Sequence, residues 1–216
     1  GHWAIVSRLY PDKIPGILAF LEFALAHTVE SVDIFGEGND LDVVRDWVNE
    51  HRCEDRIRFH GAVLDIASRL SGGGYELVGS MGRGMLEAGS CNVPTCLVGY
   101  DGVKGIVSRK RMGELASTNF SGRGLPNCTD DQFAAQLVKL RTSPSSFQLR
   151  RWVVSHRNSA TIWREYDQAI RTVPPVTAMP ASAMIDVIRA HAGLPADQTS
   201  MPTMVAEMAA VIATHC

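Results

Sequence analysis

The 216-residue sequence predicts an α/β fold, a Rossmann-like parallel sheet with helices on both faces and a helical extension at the carboxyl end. Three observations predict it. Short apolar runs recur at 3–6, 32–35, 57–59, 75–78 and 95–98, as buried parallel strands do. Between them lie segments whose apolar residues fall at three- and four-residue spacing. The joining turns are short, so right-handed crossovers connect parallel neighbours, and a ligand is expected at the carboxyl ends of the strands.

Gly1 and His2 read as the remnant of a tag before the strand over 3–6, which Pro11 separates from the first helix. A chain opening directly into a strand is expected to be a domain of a longer protein. Over 13–27, Ile14, Ile17, Leu18, Leu21, Ala24 and Leu25 share one helical face that should cover the sheet. Gly36-Glu37-Gly38 turns the chain after the strand over 32–35, and Asp40 caps a helix carrying Leu41, Val44, Trp47 and Val48. A strand over 57–59, a helix over 64–70, a strand over 75–78, a helix over 83–91 and a strand over 95–98 repeat the cycle. A Gly-rich stretch occupies 99–124. Thr129 with Gln132 then forms a capping box for a helix to Leu140, and Ser145 or Ser146 opens a longer one towards 170. The main domain is expected over 3–171. A proline-bearing linker and two short helical patterns, 181–192 and 203–214, make up 172–216.

Twenty-one basic and 23 acidic residues, interspersed, give a formal charge of −2, so no global field favours nucleic acid and an anion site must be local. The five cysteines contain no C-x-x-C pair and suit reduced thiols in a cytoplasmic protein. No apolar run reaches the roughly 20 residues of a spanning helix.

Arg8 and Lys13 lie between the first strand and the first helix, where two cations suit a diphosphate whose charge grows as a bond to it breaks. Solvated loop charges are the plainer reading. Gly79-Ser80-Met81-Gly82-Arg83-Gly84 joins a strand to a helix, and amides at such a helix start attract phosphate. A tight turn would need the same glycines. Glu87, early in that helix, could accept both hydroxyls of a ribose or simply favour the helix dipole.

These residues resemble the C-terminal, donor-binding domain of family-four-type retaining glycosyltransferases of the GT-B fold. The resemblance runs over about 3–170 and rests on Ser7-Arg8-Leu9-Tyr10-Pro11-Asp12-Lys13, Asp33-Ile34-Phe35-Gly36-Glu37-Gly38, Arg56-Ile57-Arg58-Phe59-His60-Gly61, and Met81-Gly82-Arg83-Gly84-Met85-Leu86-Glu87-Ala88 before Val93-Pro94. It implies that Arg8 and Lys13 hold a donor diphosphate and serve catalysis. Glu87 would hold the ribose, main chain of Gly61 to Val63 frame the base, and backbone from Met81 through Gly82, Arg83, Gly84 and Met85 meet sugar and phosphates. It implies further a nucleotide-diphospho-sugar donor, transfer with retention in polysaccharide biosynthesis, no metal or other cofactor, an N-terminal acceptor-binding domain outside this chain, and a sugar or lipid-linked acceptor at the inner face of a membrane. One position departs. The family often has two glutamates separated by seven residues, and the earlier, sugar-contacting position is Gly79 here. Gly99-Tyr100-Asp101-Gly102 and Asn119-Phe120-Ser121-Gly122-Arg123-Gly124 look like companions of a glycine-rich form of this loop.

Other motifs carry less. Asp40-Leu41-Asp42 has a metal-binding spacing but starts a helix; Ser80 at a strand-helix turn suggests a hydrolase elbow without its first glycine. Gly36-Glu37-Gly38 is half a dinucleotide fingerprint, and His60 could approach a base or be a partly buried structural histidine. Arg109-Lys110-Arg111 could meet an anionic membrane surface at about 1 kcal/mol per charge, or be a solvated helix start. The rival to an enzyme is a non-catalytic nucleotide-sugar-binding or interaction module. An epimerase on the same double-domain fold is a further alternative.

Overall fold

A computed structural model describes residues 1–172. The chain divides into two units, Gly1–Ile162 and Trp163–Cys216. The linker and helical patterns expected beyond 172 lie outside the described residues.

Strands β1 (His2–Val6), β2 (Ser31–Phe35), β3 (Ile57–Gly61), β4 (Leu77–Ser80), β5 (Thr95–Val98) and β6 (Val103–Ile106) form one sheet in the order β3-β2-β1-β4-β5-β6. The first five run parallel and β6 is antiparallel to β5. Sequence order reverses between β1 and β4, so the loops leaving these two strands open a crevice at the carboxyl edge. The six-strand, mostly parallel sheet is the expected class. His2 belongs to β1, paired with Ser31, so the strand starts one residue before the expected bound.

Helices α1 (Ile14–Ala26), α2 (Leu41–Glu50), α3 (Ile66–Gly72) and α4 (Gly82–Ser90) are the crossovers. The apolar face of α1 buries Ile14, Ile17, Phe20, Leu21 and Ala24 against the sheet. Trp3 joins Phe20 and Phe133 there, with ring centroids 5.3 and 5.8 Å away, and its indole donates to Glu76 at 3.0 Å. α3 begins two residues later than expected because Asp65 caps it by accepting from the Ser68 N–H. β4 is displaced towards the carboxyl end, over 77–80 instead of 75–78, because the Tyr75 hydroxyl turns to the Asp33 carboxylate and Glu76 binds Trp3 and Arg141.

Three further departures lie downstream. β6 and the short α5 (Met112–Ala116), which follows a 3-10 turn at Arg109–Arg111, occupy a stretch that reads as loop. β6 is an edge strand, and its outer groups are satisfied by the Gln136 side chain, which accepts from Ile106 N–H, and by the Cys128 N–H, which donates to Val103 at 2.7 Å. The capping box of Thr129 and Gln132 is formed at the start of α6 (Asp130–Thr142). The single long helix expected from 145 or 146 is instead a 3-10 turn at Pro144–Phe147, then α7 (Arg150–His156) and α8 (Ser159–Thr172). The first break lets Leu149 bury fully against Gly89 of α4. The second is set by Asn158, whose side chain donates to Val154 and accepts from Thr161 N–H, ending one helix and capping the next.

Candidate functional site

The loops after β1, β3 and β4 surround a cleft of about 720 Å³ at the carboxyl edge of the sheet. Arg8, Lys13, Val63, Met81, Gly82, Arg83, Gly84 and Glu87 all line it. Two expected residues do not. Gly61 ends β3, where its carbonyl accepts from Gly36 N–H at 2.8 Å, and it lies outside the lining that Ala62, Val63 and Leu64 provide. The Met85 side chain is fully buried with Leu97, Met112 and Phe120, so only its main chain remains for a ligand role.

The loop carrying Arg8 is held by its neighbours. Ser7 N–H donates to Phe35 and Leu9 N–H to Glu37, each at 3.1 Å, while Leu9 is fully buried. A Cβ on Gly36 would stand 1.8 Å from the Ser7 carbonyl, and one on Gly38 2.2 Å from that of Leu9. Gly36-Glu37-Gly38 is therefore a close packing of two loops, and the dinucleotide reading of this motif falls away. Arg8 itself is exposed, with its guanidinium 5.5 Å from the Tyr10 ring.

Lys13 precedes α1 and is nearly covered. Its ammonium lies 3.0 Å from the Met81 sulfur, 3.4 Å from an Asp12 oxygen and 3.4 Å from the centre of the Tyr100 ring. The hydrogen-bonding and charge of this ammonium, with Arg123 5.0 Å from the same ring, lower the Tyr100 phenol below its usual value. That a sulfur and a π face shield the cation was not legible in the sequence, where 13 and 100 are unrelated positions.

Helix α4 starts at Gly82 in a left-handed conformation (φ 55°), with Met81 as an extended N-cap that supplies no side-chain hydrogen bond. Its first amides are thus uncapped by the Met81 side chain at the cleft, although Gly82 N–H donates to Phe120 at 3.0 Å. A Cβ on Gly84 would lie 2.3 Å from Ser80 Oγ, so the serine hydroxyl would have to leave its place. Glu87 lines the cleft and pairs with the exposed Arg83 at 3.1 Å.

Gly79 does not face the cleft. It lies buried within β4, and a Cβ there would meet Phe20 and Val98 at 3.0 Å. Ser80 is also buried, and its hydroxyl donates to the Val6 carbonyl at 2.7 Å, which removes the nucleophile of the hydrolase reading. Asp40 stands at the start of α2 and Asp42 pairs with Arg45. His60 stacks on Phe35 (4.8 Å) with Nε2 3.0 Å from Asp33, a structural placement outside the cleft lining. Burial would raise the Asp33 carboxyl, but hydrogen bonds from His60 and Tyr75 and the nearby His2 leave it lowered. Arg111 pairs with Glu114 at the start of α5. The four described cysteines are free thiols, and no helix among the described residues is long and apolar enough to cross a membrane.

No family model matches this chain, and no curated protein matches it in sequence. Solved structures do share its fold. The pneumococcal O-GlcNAc transferase GtfA, in complex with UDP and GlcNAc, matches with a TM-score of 0.52 at 19% identity, over 79% of this chain and 35% of that one. Anabaena Alr3699/HepE, in complex with UDP-glucose, matches with 0.57 at 16%, over 80% and 49%. The sucrose-phosphate synthase of Thermosynechococcus elongatus matches with 0.53 at 15%, over 79% and 44%. The fold is one Rossmann-like half of GT-B glycosyltransferases, and the chain spans less than half the length of each of these three chains.

Proposed function

We propose that this chain is the donor-binding half of a retaining glycosyltransferase of the GT-B fold and family-four type, and that it takes a nucleotide-diphospho-sugar without a metal. The observation that carries this reading is the convergence of Arg8, Lys13, the start of α4 and Glu87 on one cleft at the strand-order reversal. Arg8 and Lys13 offer two cations to a diphosphate, and the α4 amides and dipole add to them. These groups would stabilise the diphosphate as it departs and gains charge. Glu87 can accept both ribose hydroxyls, and Phe35, Val63 and Ile66 supply an apolar wall for a base. An acceptor-binding half would complete the cleft and bring the attacking hydroxyl of a sugar or lipid-linked acceptor to the anomeric carbon. The chain alone is expected to bind nucleotide weakly and transfer nothing.

Calorimetric titration of inorganic pyrophosphate into the wild-type chain, Arg8→Ala and Lys13→Ala tests the assignment. Loss of about 1.5–3 kcal/mol in either variant, the worth of a hydrogen bond to a charged group, supports it. Unchanged affinity in both makes the pair surface charge and ends the donor reading.

A further inference from the structure

The resemblance would put a sugar-contacting glutamate at position 79, but Gly79 is buried inside the sheet, where a Cβ would meet Phe20 and Val98 at 3.0 Å, so this position offers a donor sugar no side chain. The cleft has a second polar wall. Tyr100, Asn119 and Ser121 line it beside Lys13 and Gly82.

That wall is tightly built. Lys104, buried in β6, donates to the Leu125 carbonyl and the Asn127 side chain, each at 2.8 Å, and pairs with Asp101 at 2.7 Å. One buried ammonium thus ties the turn bearing Tyr100 to the segment that follows 119–124. Asn127 donates back to the Asp101 carbonyl at 3.0 Å. Phe120 is fully buried, and its carbonyl accepts from Gly82 N–H, which fastens the loop to the first residue of α4. Asn119 and Phe120 hold φ of 50° and 54° in succession, a conformation costly for a non-glycine residue and retained only where the surroundings enforce it.

We propose that Tyr100, Asn119 and Ser121 form the subsite for the sugar of the donor, replacing the carboxylate for which Gly79 leaves no space. The proposal rests on the donor reading. An amide, a hydroxyl and a phenol can each both donate and accept, which is the chemistry that reads the hydroxyls of a hexose. The Ser121 hydroxyl oxygen already accepts from Arg123 N–H at 3.3 Å, leaving its hydrogen free to donate outward. The Arg123 guanidinium lies 5.0 Å from the centre of the Tyr100 ring and the Lys13 ammonium 3.4 Å from it.

The test compares uridine, guanosine, adenosine and cytidine diphosphates with their glucose, N-acetylglucosamine and glucuronic acid conjugates by equilibrium binding. The variant is Asn119→Gly with Ser121→Ala, in which glycine suits the positive φ and only the polar groups are lost. The sugar conjugate should weaken about tenfold, the loss expected from two hydrogen bonds, while the bare diphosphate changes by less than about twofold. Equal loss for both, no loss for either, or wild-type protein that binds every conjugate no better than its diphosphate overturns the subsite and leaves the donor reading intact. Wild-type protein that binds none of the diphosphates overturns both. Should the double variant lower the unfolding midpoint, Ser121→Ala and Asn119→Gly singly carry the same comparison.

Discussion

Placing a glutamate at position 79 is expected to break the fold and not to improve sugar binding. A Cβ at this position would stand 3.0 Å from two Phe20 ring carbons and from a Val98 methyl, and both side chains belong to the main core. Gly79→Ala should therefore cost about 1–3 kcal/mol by overpacking. Gly79→Glu sends a carboxylate in against Phe20 and Val98, and burying a charge among such groups costs several kcal/mol more. Against a total stability of about 5–15 kcal/mol, the glutamate variant should be largely unfolded or close to it. Urea unfolding followed by tryptophan fluorescence measures this, because Trp3 packs directly on Phe20. With a slope of about 1–3 kcal/mol per molar urea, the alanine variant should unfold about 1 M earlier. A Gly79→Glu protein with wild-type stability and tighter binding of a nucleotide sugar would refute this reasoning.

Tyr100→Ala uncovers Lys13 and should tighten inorganic pyrophosphate about fivefold, the equivalent of one cation–π contact of about 1 kcal/mol; weaker binding would mean that the ring contributes to the site instead of shielding it. Glu87→Ala should weaken a nucleoside diphosphate but not pyrophosphate, and equal loss for both in titration would reduce Glu87 to a support for α4. Glu76 accepts from Arg141 at 2.6 Å and from Trp3, and the arginine foremost holds its carboxyl below the ordinary value although burial raises it. That stabilisation is complete above the unfolded pKa of about 4.3 and is lost as pH falls through the lowered folded value. Glu76→Gln should thus cost about 1 kcal/mol at neutral pH, discounted for the half-exposed Arg141, with a gap to wild type that closes in acid. A gap constant with pH in denaturant unfolding would contradict it.

Most strands and crossovers were legible because each is a short apolar run or a helical stripe with its own turn signal. β6 was not. Val103-Lys104-Gly105-Ile106 carries a charge and a glycine, and its burial depends on Asp101, Leu125 and Asn127, partners that no local pattern indicates. The break between α7 and α8 was hidden for the opposite reason, since the helical periodicity continues through 157–158 and only the capping geometry of Asn158 ends it. Of the site, the β1 and β4 loops were readable from their cations and glycines, because parallel-sheet topology alone brings such loops together. The wall of Tyr100, Asn119 and Ser121 was visible only as two polar, Gly-rich motifs, since its position depends on the tie through Lys104 and the Gly82 hydrogen bond to Phe120.

The most direct measurement is the thermal stability of the chain with millimolar uridine, guanosine, adenosine and cytidine diphosphates, in wild type and in Arg8→Ala. A ligand at about 100 times its dissociation constant adds roughly 2.7 kcal/mol. A rise with one nucleotide that disappears in Arg8→Ala is the predicted result and names the base; the same midpoint with every nucleotide would contradict a donor site in this cleft.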